Sequence, residues 1–164
     1  MRIAGIMKND IVNSNNGVCV SVWTQGCPHR CKGCHNPETW NFDGGYDIDY
    51  KSLKEQVINA LGANGIQRNL SILGGEPLCE ENLFWISKLI HEVKVAYPDI
   101  KVTLWTGYTL EELQELSKNN VKLTIALLCI DILIDGRFEE DKKDLSLELR
   151  GSSNQRILYR GVDF

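Results

Sequence analysis

Four short runs of β-branched and aromatic residues, separated by stretches of helical periodicity, constrain the fold of this chain more than any other feature. Residues 18–23 (VCVSVW) predict a strand, as do 70–73 (LSIL), 102–105 (VTLW) and 130–134 (IDILI). Between the first two, Leu53, Val57, Ala60 and Leu61 recur at helical spacing, with Asp49 as N-cap and Gly62 and Gly65 as the stop. Leu83, Ile86, Leu89, Ile90 and Val93 share one face of a helix over 80–97 that Pro98 ends. Thr109 and Glu112 form a T-x-x-E capping box for a helix carrying Leu110, Leu113 and Leu116.

Strands separated by helices imply βαβ units and a mostly parallel sheet. A complete barrel of eight such units needs about 250 residues, and this chain has 164. No repeat, low-complexity tract or linker divides it, so a single α/β domain over 1–164 is expected, built as an incomplete, open (βα) barrel or an open sheet. In either case ligands bind at the loops after the strands' carboxyl ends. The cysteine-rich segment, Gly74-Gly75-Glu76-Pro77, Thr106-Gly107 and Asp135-Gly136 would then share one rim.

Net charge is −4 and Lys and Arg are scattered, which argues against a protein that binds nucleic acid by neutralising phosphates. The first residues hold no apolar core of signal-peptide length. The longest apolar run, 123–134, is interrupted by Thr124 and Asp131 and is too short to span a bilayer. A cytoplasmic location without membrane attachment is expected, and there thiols stay reduced. Six cysteines in that setting point to metal or redox chemistry rather than to a disulfide framework.

Cys27, Cys31 and Cys34 form a C-x3-C-x2-C pattern. Three thiols within eight residues cannot share a helix face, and Pro28 and Gly33 favour a loop curled around a bound object. Thiolates are ligands for zinc and for iron–sulfur clusters. Electron-carrying [4Fe–4S] clusters use four cysteines, so three leave one iron open to an exogenous ligand. The competing possibility is a structural zinc site with a fourth ligand from His29, His35, Cys19, Cys79 or Cys129, but small zinc folds usually pair two C-x2-C half-sites and no second half-site exists here. Cys19 and Cys129 lie in apolar runs and suit core positions, and Cys79 lies just past the GGEP turn.

The C-x3-C-x2-C loop after the first predicted strand, followed by GGEP at the end of the next, resembles the radical S-adenosylmethionine (SAM) enzymes. Residues 23–27 (WTQGC), 34–40 (CHNPETW), 104–108 (LWTGY), 133–138 (LIDGRF) and 150–155 (RGSSNQ) are similar to blocks of the activating proteins of anaerobic (class III) ribonucleotide reductase. The likeness runs from about residue 10 to 158. It implies that Cys27, Cys31 and Cys34 hold a [4Fe–4S] cluster, that Gly33, Cys34 and His35 lie against SAM, and that Gly74, Gly75 and Glu76 receive its methionine ammonium. Many radical SAM proteins carry an aromatic residue before the third cysteine. Gly33 stands there in this chain, which leaves His35 as a candidate for contact with adenine.

The activity implied is glycyl-radical formation on the anaerobic ribonucleoside-triphosphate reductase, by hydrogen abstraction with a 5′-deoxyadenosyl radical. The electron would come from a one-electron donor such as flavodoxin. No residue of the chain need then act as acid, base or nucleophile, since the cofactors carry the chemistry. Two alternatives stand beside this: an activator of another glycyl-radical enzyme, of the pyruvate formate-lyase kind, and a zinc or iron–sulfur module without catalysis.

Overall fold

The protein is described by a computed structural model covering residues 1–15 and 17–164. Its strands are β1 (Arg2–Asp10), β2 (Cys19–Thr24), β3 (Tyr46–Asp47), β4 (Asn69–Gly74), β5 (Val102–Trp105), β6 (Ile132–Asp135) and β7 (Arg156–Tyr159). Its helices are α1 (Tyr50–Leu61), α2 (Glu80–Ala96), α3 (Leu110–Ser117) and α4 (Val121–Cys129). One seven-stranded sheet has the order β3-β1-β2-β4-β5-β6-β7. The four expected strands form its parallel centre, with β4 pairing β2 and β5, and β6 pairing β5. Antiparallel pairs finish both sides, β1 with β2 and β3 on one and β7 with β6 on the other. The sheet is mixed, mostly parallel and open.

Alternation along the central strands separates two unlike faces. Val22, Ile72, Leu104 and Leu133 lie in cross-strand register. Together with Val20, Leu70 and Val102 they share one apolar core with buried residues of all four helices. The intervening positions Ser21, Ser71 and Thr103 are small, polar and buried on the opposite face, which they share with Leu73, Trp105, Ile132 and Ile134. Burying a Leu or Ile side chain contributes about 1.5–3 kcal/mol, so the helices gather on the face that offers such residues.

The helix signals act as expected. The Asp49 carboxylate accepts from the Ser52 N–H at 2.9 Å, and Thr109 and Glu112 close the capping box. Three strands and one helix lie outside the sequence-based expectation. β1 has Gly5 in its middle and register shifts on either side, so its buried residues show no period of two. β3 has two residues and β7 four, too few to display a period. The predicted strand over 130–134 begins two residues late, because α4 takes the residues before it and Ile130 is that helix's C-cap. α4 leaves Val121, Ile125 and Leu128 exposed, so no polar face marks it as a helix.

Two buried acids hold the ends of the sheet. Asp10, on β1, accepts from the Ser21 hydroxyl at 2.6 Å and from the Val12 and Asn13 amides. The same short loop is tied down by Ser71, whose hydroxyl donates to the Asn13 carbonyl at 2.6 Å. Burial pushes the Asp10 pKa up, but the donors from Ser21, Asn13 and Val12 together outweigh it and hold the carboxyl below its ordinary value. Asp135, at the end of β6, is fully buried and accepts from the Leu110 N–H of α3 at 2.7 Å and from Arg156 Nε of β7 at 2.9 Å.

A depressed carboxyl pKa stabilises the fold above the unfolded value and loses that contribution as pH falls through the folded one. Stability is therefore expected to decline as pH drops below the ordinary Asp value of 3.8. Asp10→Asn should make the decline shallower in urea melts across that range. Asp135→Ala leaves the Leu110 amide without its acceptor in the interior and should cost about 2 kcal/mol, read from the urea midpoint.

Candidate functional site

The carboxyl ends of β2, β4, β5 and β6 open on one cavity of about 490 Å³. Its wall carries Cys27, Cys31 and Cys34, with Gly33 and His35 beside them. Gly74, Gly75 and Glu76 border it from the end of β4. Thus the three cysteines of the C-x3-C-x2-C pattern and the five other residues expected to contact SAM lie on the same cavity.

The cysteine loop leaves β2 and returns to it. Gly26 and Cys27 donate their amides to the Thr39 and Trp40 carbonyls at 2.8 and 3.1 Å, closing the loop at its base. Gln25, nearly fully buried, donates from Nε2 to the Glu38 and Asn41 carbonyls. Within the loop the Cys34 amide donates to the Cys31 carbonyl at 3.1 Å, and Cys34 Sγ accepts from the Asn36 amide at 3.4 Å. Desolvation raises the pKa of both Cys27 and Cys31. The negative charge of Glu76 adds to it at Cys27, while Arg137 opposes it at Cys31.

The GGEP turn approaches this loop more closely than side chains allow. Gly74 has φ +109°, and a Cβ there would come within 2.6 Å of Thr24 backbone. A Cβ on Gly75 would sit 2.3 Å from the Gly26 carbonyl oxygen. Both glycines are therefore required by contact with the β2 turn. The Gly75 and Glu76 amides donate to the Thr24 and Gly26 carbonyls, and Asn82 Nδ2 bridges the Gln25 and Glu76 carbonyls.

The Glu76 carboxylate is 1% exposed and accepts from four donors. Oε1 receives the Leu78 amide at 3.0 Å and the Thr106 hydroxyl at 2.8 Å. Oε2 receives the Gly107 amide at 2.7 Å and pairs with His29 Nε2 at 3.0 Å. A carboxylate has about four lone-pair sites, so protein donors engage all of them.

The 136–155 segment folds back as a strap over the same cavity. Gly136, Phe138, Leu149 and Gln155 line it. Trp105 Nε1 donates to the Leu149 carbonyl at 2.8 Å, and Gln155 bonds the Gly151 amide and the Gly136 carbonyl. Composition predicts an open surface loop for 150–155, yet Ser152 is fully buried. Sequence reasoning also missed Phe138 and the adjoining Arg137, and weighed His29 only as a possible zinc ligand. The position of His29 between two cysteines was the available signal.

The other cysteines lie off the cavity. Cys79 is the buried N-cap residue of α2, and its thiol is pushed up to about 12 by burial. Cys19 is buried against Ser21 on the polar sheet face, and Cys129 is the last residue of α4. Among the described residues, no three His, Cys, Asp or Glu side chains converge closely enough to hold a single metal ion. A structural zinc needs its sulfurs at about 2.3 Å from one atom. An iron–sulfur cube takes each thiolate on a different iron, and three separated thiols around one cavity fit that larger object. No helix among the described residues is long and apolar enough to cross a membrane.

Comparison with known proteins agrees with this arrangement. A family model described as a 4Fe-4S single cluster domain matches residues 14–158. The chain is 41% identical over 156 residues to the anaerobic ribonucleoside-triphosphate reductase-activating protein of Pasteurella multocida, covering 94% of each chain. It is 39% identical to the protein of that name from Escherichia coli K12, over 90% of this chain and 92% of the other. To the bacteriophage T4 protein of that name it is 36% identical, over 90% and 87%. Similarity of this extent spans the cysteine loop, the GGEP turn and the strap alike, and so the chain belongs to the family of anaerobic ribonucleoside-triphosphate reductase-activating proteins.

Proposed function

We propose that this protein is a radical SAM activase that installs a glycyl radical on an anaerobic ribonucleoside-triphosphate reductase. The observation that carries the reading is the placement of Cys27, Cys31 and Cys34 on one cavity with the GGEP turn, the other three cysteines lying elsewhere. In this reading the three thiolates hold a [4Fe–4S] cluster and leave one iron for SAM. Bound there, the cluster and SAM supply reductive cleavage of the sulfonium carbon–sulfur bond, giving methionine and the 5′-deoxyadenosyl radical that takes a glycine hydrogen.

The remaining work falls to the protein's own residues. Gly33, Cys34 and His35 form the cavity edge against which SAM would lie, with His35 exposed at its mouth. Gly74, Gly75 and Glu76 would receive the methionine ammonium. Because Glu76's oxygens are already engaged, the backbone carbonyls of the turn are the better acceptors, and the buried carboxylate adds favourable charge behind them. The strap shields the cavity from water on the β6 side, as radical chemistry requires.

The sheet, open and carrying its helices on one face, is taken as the incomplete barrel of radical SAM enzymes, and the chain as a single domain over 1–164. Its open side leaves room for a glycine-bearing segment of the reductase. A one-electron donor such as flavodoxin and a cytoplasmic setting complete the reading, with nucleotides bound by the reductase and not by this chain. A radical activator of another glycyl-radical enzyme could share such a cavity, and the names of the relatives at 36–41% identity favour the reductase as partner.

Anaerobic reconstitution tests the assignment. The reduced protein should show a [4Fe–4S]⁺ EPR signal that SAM alters, and should form methionine and 5′-deoxyadenosine. Replacing Cys27, Cys31 or Cys34 with Ala should abolish the cluster signal and cleavage; Cys19→Ala and Cys129→Ala should preserve both. A colourless, zinc-loaded protein without SAM cleavage would refute the reading. Incubation with the anaerobic reductase should give a glycyl-radical EPR doublet, and a doublet seen only with pyruvate formate-lyase would reassign the partner.

A further inference from the structure

We infer that His29 is a positioning residue, whose ring pins the Cys27–Cys31 stretch of the loop to the turns after β4 and β5 and so fixes the spacing between the thiols and the GGEP turn. The inference rests on the reading of the cavity as a cluster and SAM site. The His29 side chain is only 6% exposed, although its chain neighbours Pro28 and Arg30 are exposed. Both ring nitrogens are engaged. Arg137 Nε reaches Nδ1 at 3.2 Å, and Nε2 lies 3.0 Å from Glu76 Oε2. A guanidinium only donates and a carboxylate only accepts, so Nδ1 must be the acceptor and Nε2 must carry the proton. In this arrangement both ring nitrogens serve contacts within the protein.

The surroundings are shaped to the ring. Tyr108 meets it edge-on, with ring centroids 4.6 Å apart. A Cβ on Gly107 would come within 2.3 Å of His29 Cδ2, so the ring can seat only against glycine. The Gly107 amide donates to the same Glu76 oxygen that His29 engages. Arg137 is anchored in turn by Glu112 of α3 at 3.3 Å. One side chain thus connects four loops: the cysteine loop, the GGEP turn, the Thr106-Gly107 turn and the segment after β6.

A double-mutant cycle tests this. The wild-type protein, His29→Ala, Gly107→Ala, the double variant and His29→Gln are reconstituted anaerobically. Iron and sulfide content, the EPR spectrum with and without SAM, and KM and kcat for SAM cleavage are then measured. His29→Ala should keep its cluster, show a weaker SAM-induced EPR change, and raise KM for SAM about tenfold with kcat little changed, as loss of one charge-assisted hydrogen bond predicts. Gly107→Ala displaces the ring and should do the same, yet cost nothing more in the His29→Ala background. His29→Gln, whose amide can reach Glu76, should restore most of the affinity.

Nitrogen-15 NMR of the cluster-free protein should show an Nε2-protonated ring. Unchanged KM and EPR in His29→Ala, additive costs in the cycle, loss of the cluster, or an Nδ1-protonated ring would each overturn the proposal. Simple loss of folded protein would lower kcat at constant KM, and that result also counts against it. Failure of the cavity reading itself is told apart because it appears in the wild-type protein, as absence of SAM cleavage.

Discussion

The buried carboxylate of Glu76 is the interaction on which the functional rim depends. It begins as a residue of a tight turn after β4 and ends as the acceptor for donors from its own turn, the β5 turn and the cysteine loop. An unpaired buried carboxylate is costly, and one with every lone pair used is a strong organising centre. The donors lie up to 47 residues from Glu76 along the chain, so satisfying this one group brings distant loops to one place.

The sheet makes that possible by giving its two faces different work. Large apolar side chains at alternate positions of β2, β4, β5 and β6 draw all four helices to one side. The small polar row of Ser21, Ser71 and Thr103 on the other face is itself buried and stands apart from the core that the helices share. Antiparallel β1 and β7 finish the parallel core and leave the sheet open.

Several features were legible in the sequence because each rests on local chemistry. The capping box at Thr109 and Glu112, the Asp49 cap and the stop at Pro98 involve residues a few positions apart. The central strands were legible because their residues alternate or are β-branched. The site's gathering on one rim followed from parallel topology, which sends every strand's carboxyl end the same way. β1, β3, β7 and α4 were not legible: the strands are irregular or very short, and α4 presents apolar residues to solvent.

The sequence by itself determined the chemistry available, three closely spaced thiols, a two-glycine turn and a sheet too short to close, because spacing and length are properties of the chain. Only the tertiary structure decided how those groups are held. Glu76 points into a web of donors, His29 serves as a strut between loops, and the 136–155 strap turns back over the cavity through Trp105 and Gln155. These contacts join residues far apart in the chain, and their energies depend on burial and direction, which no local pattern encodes.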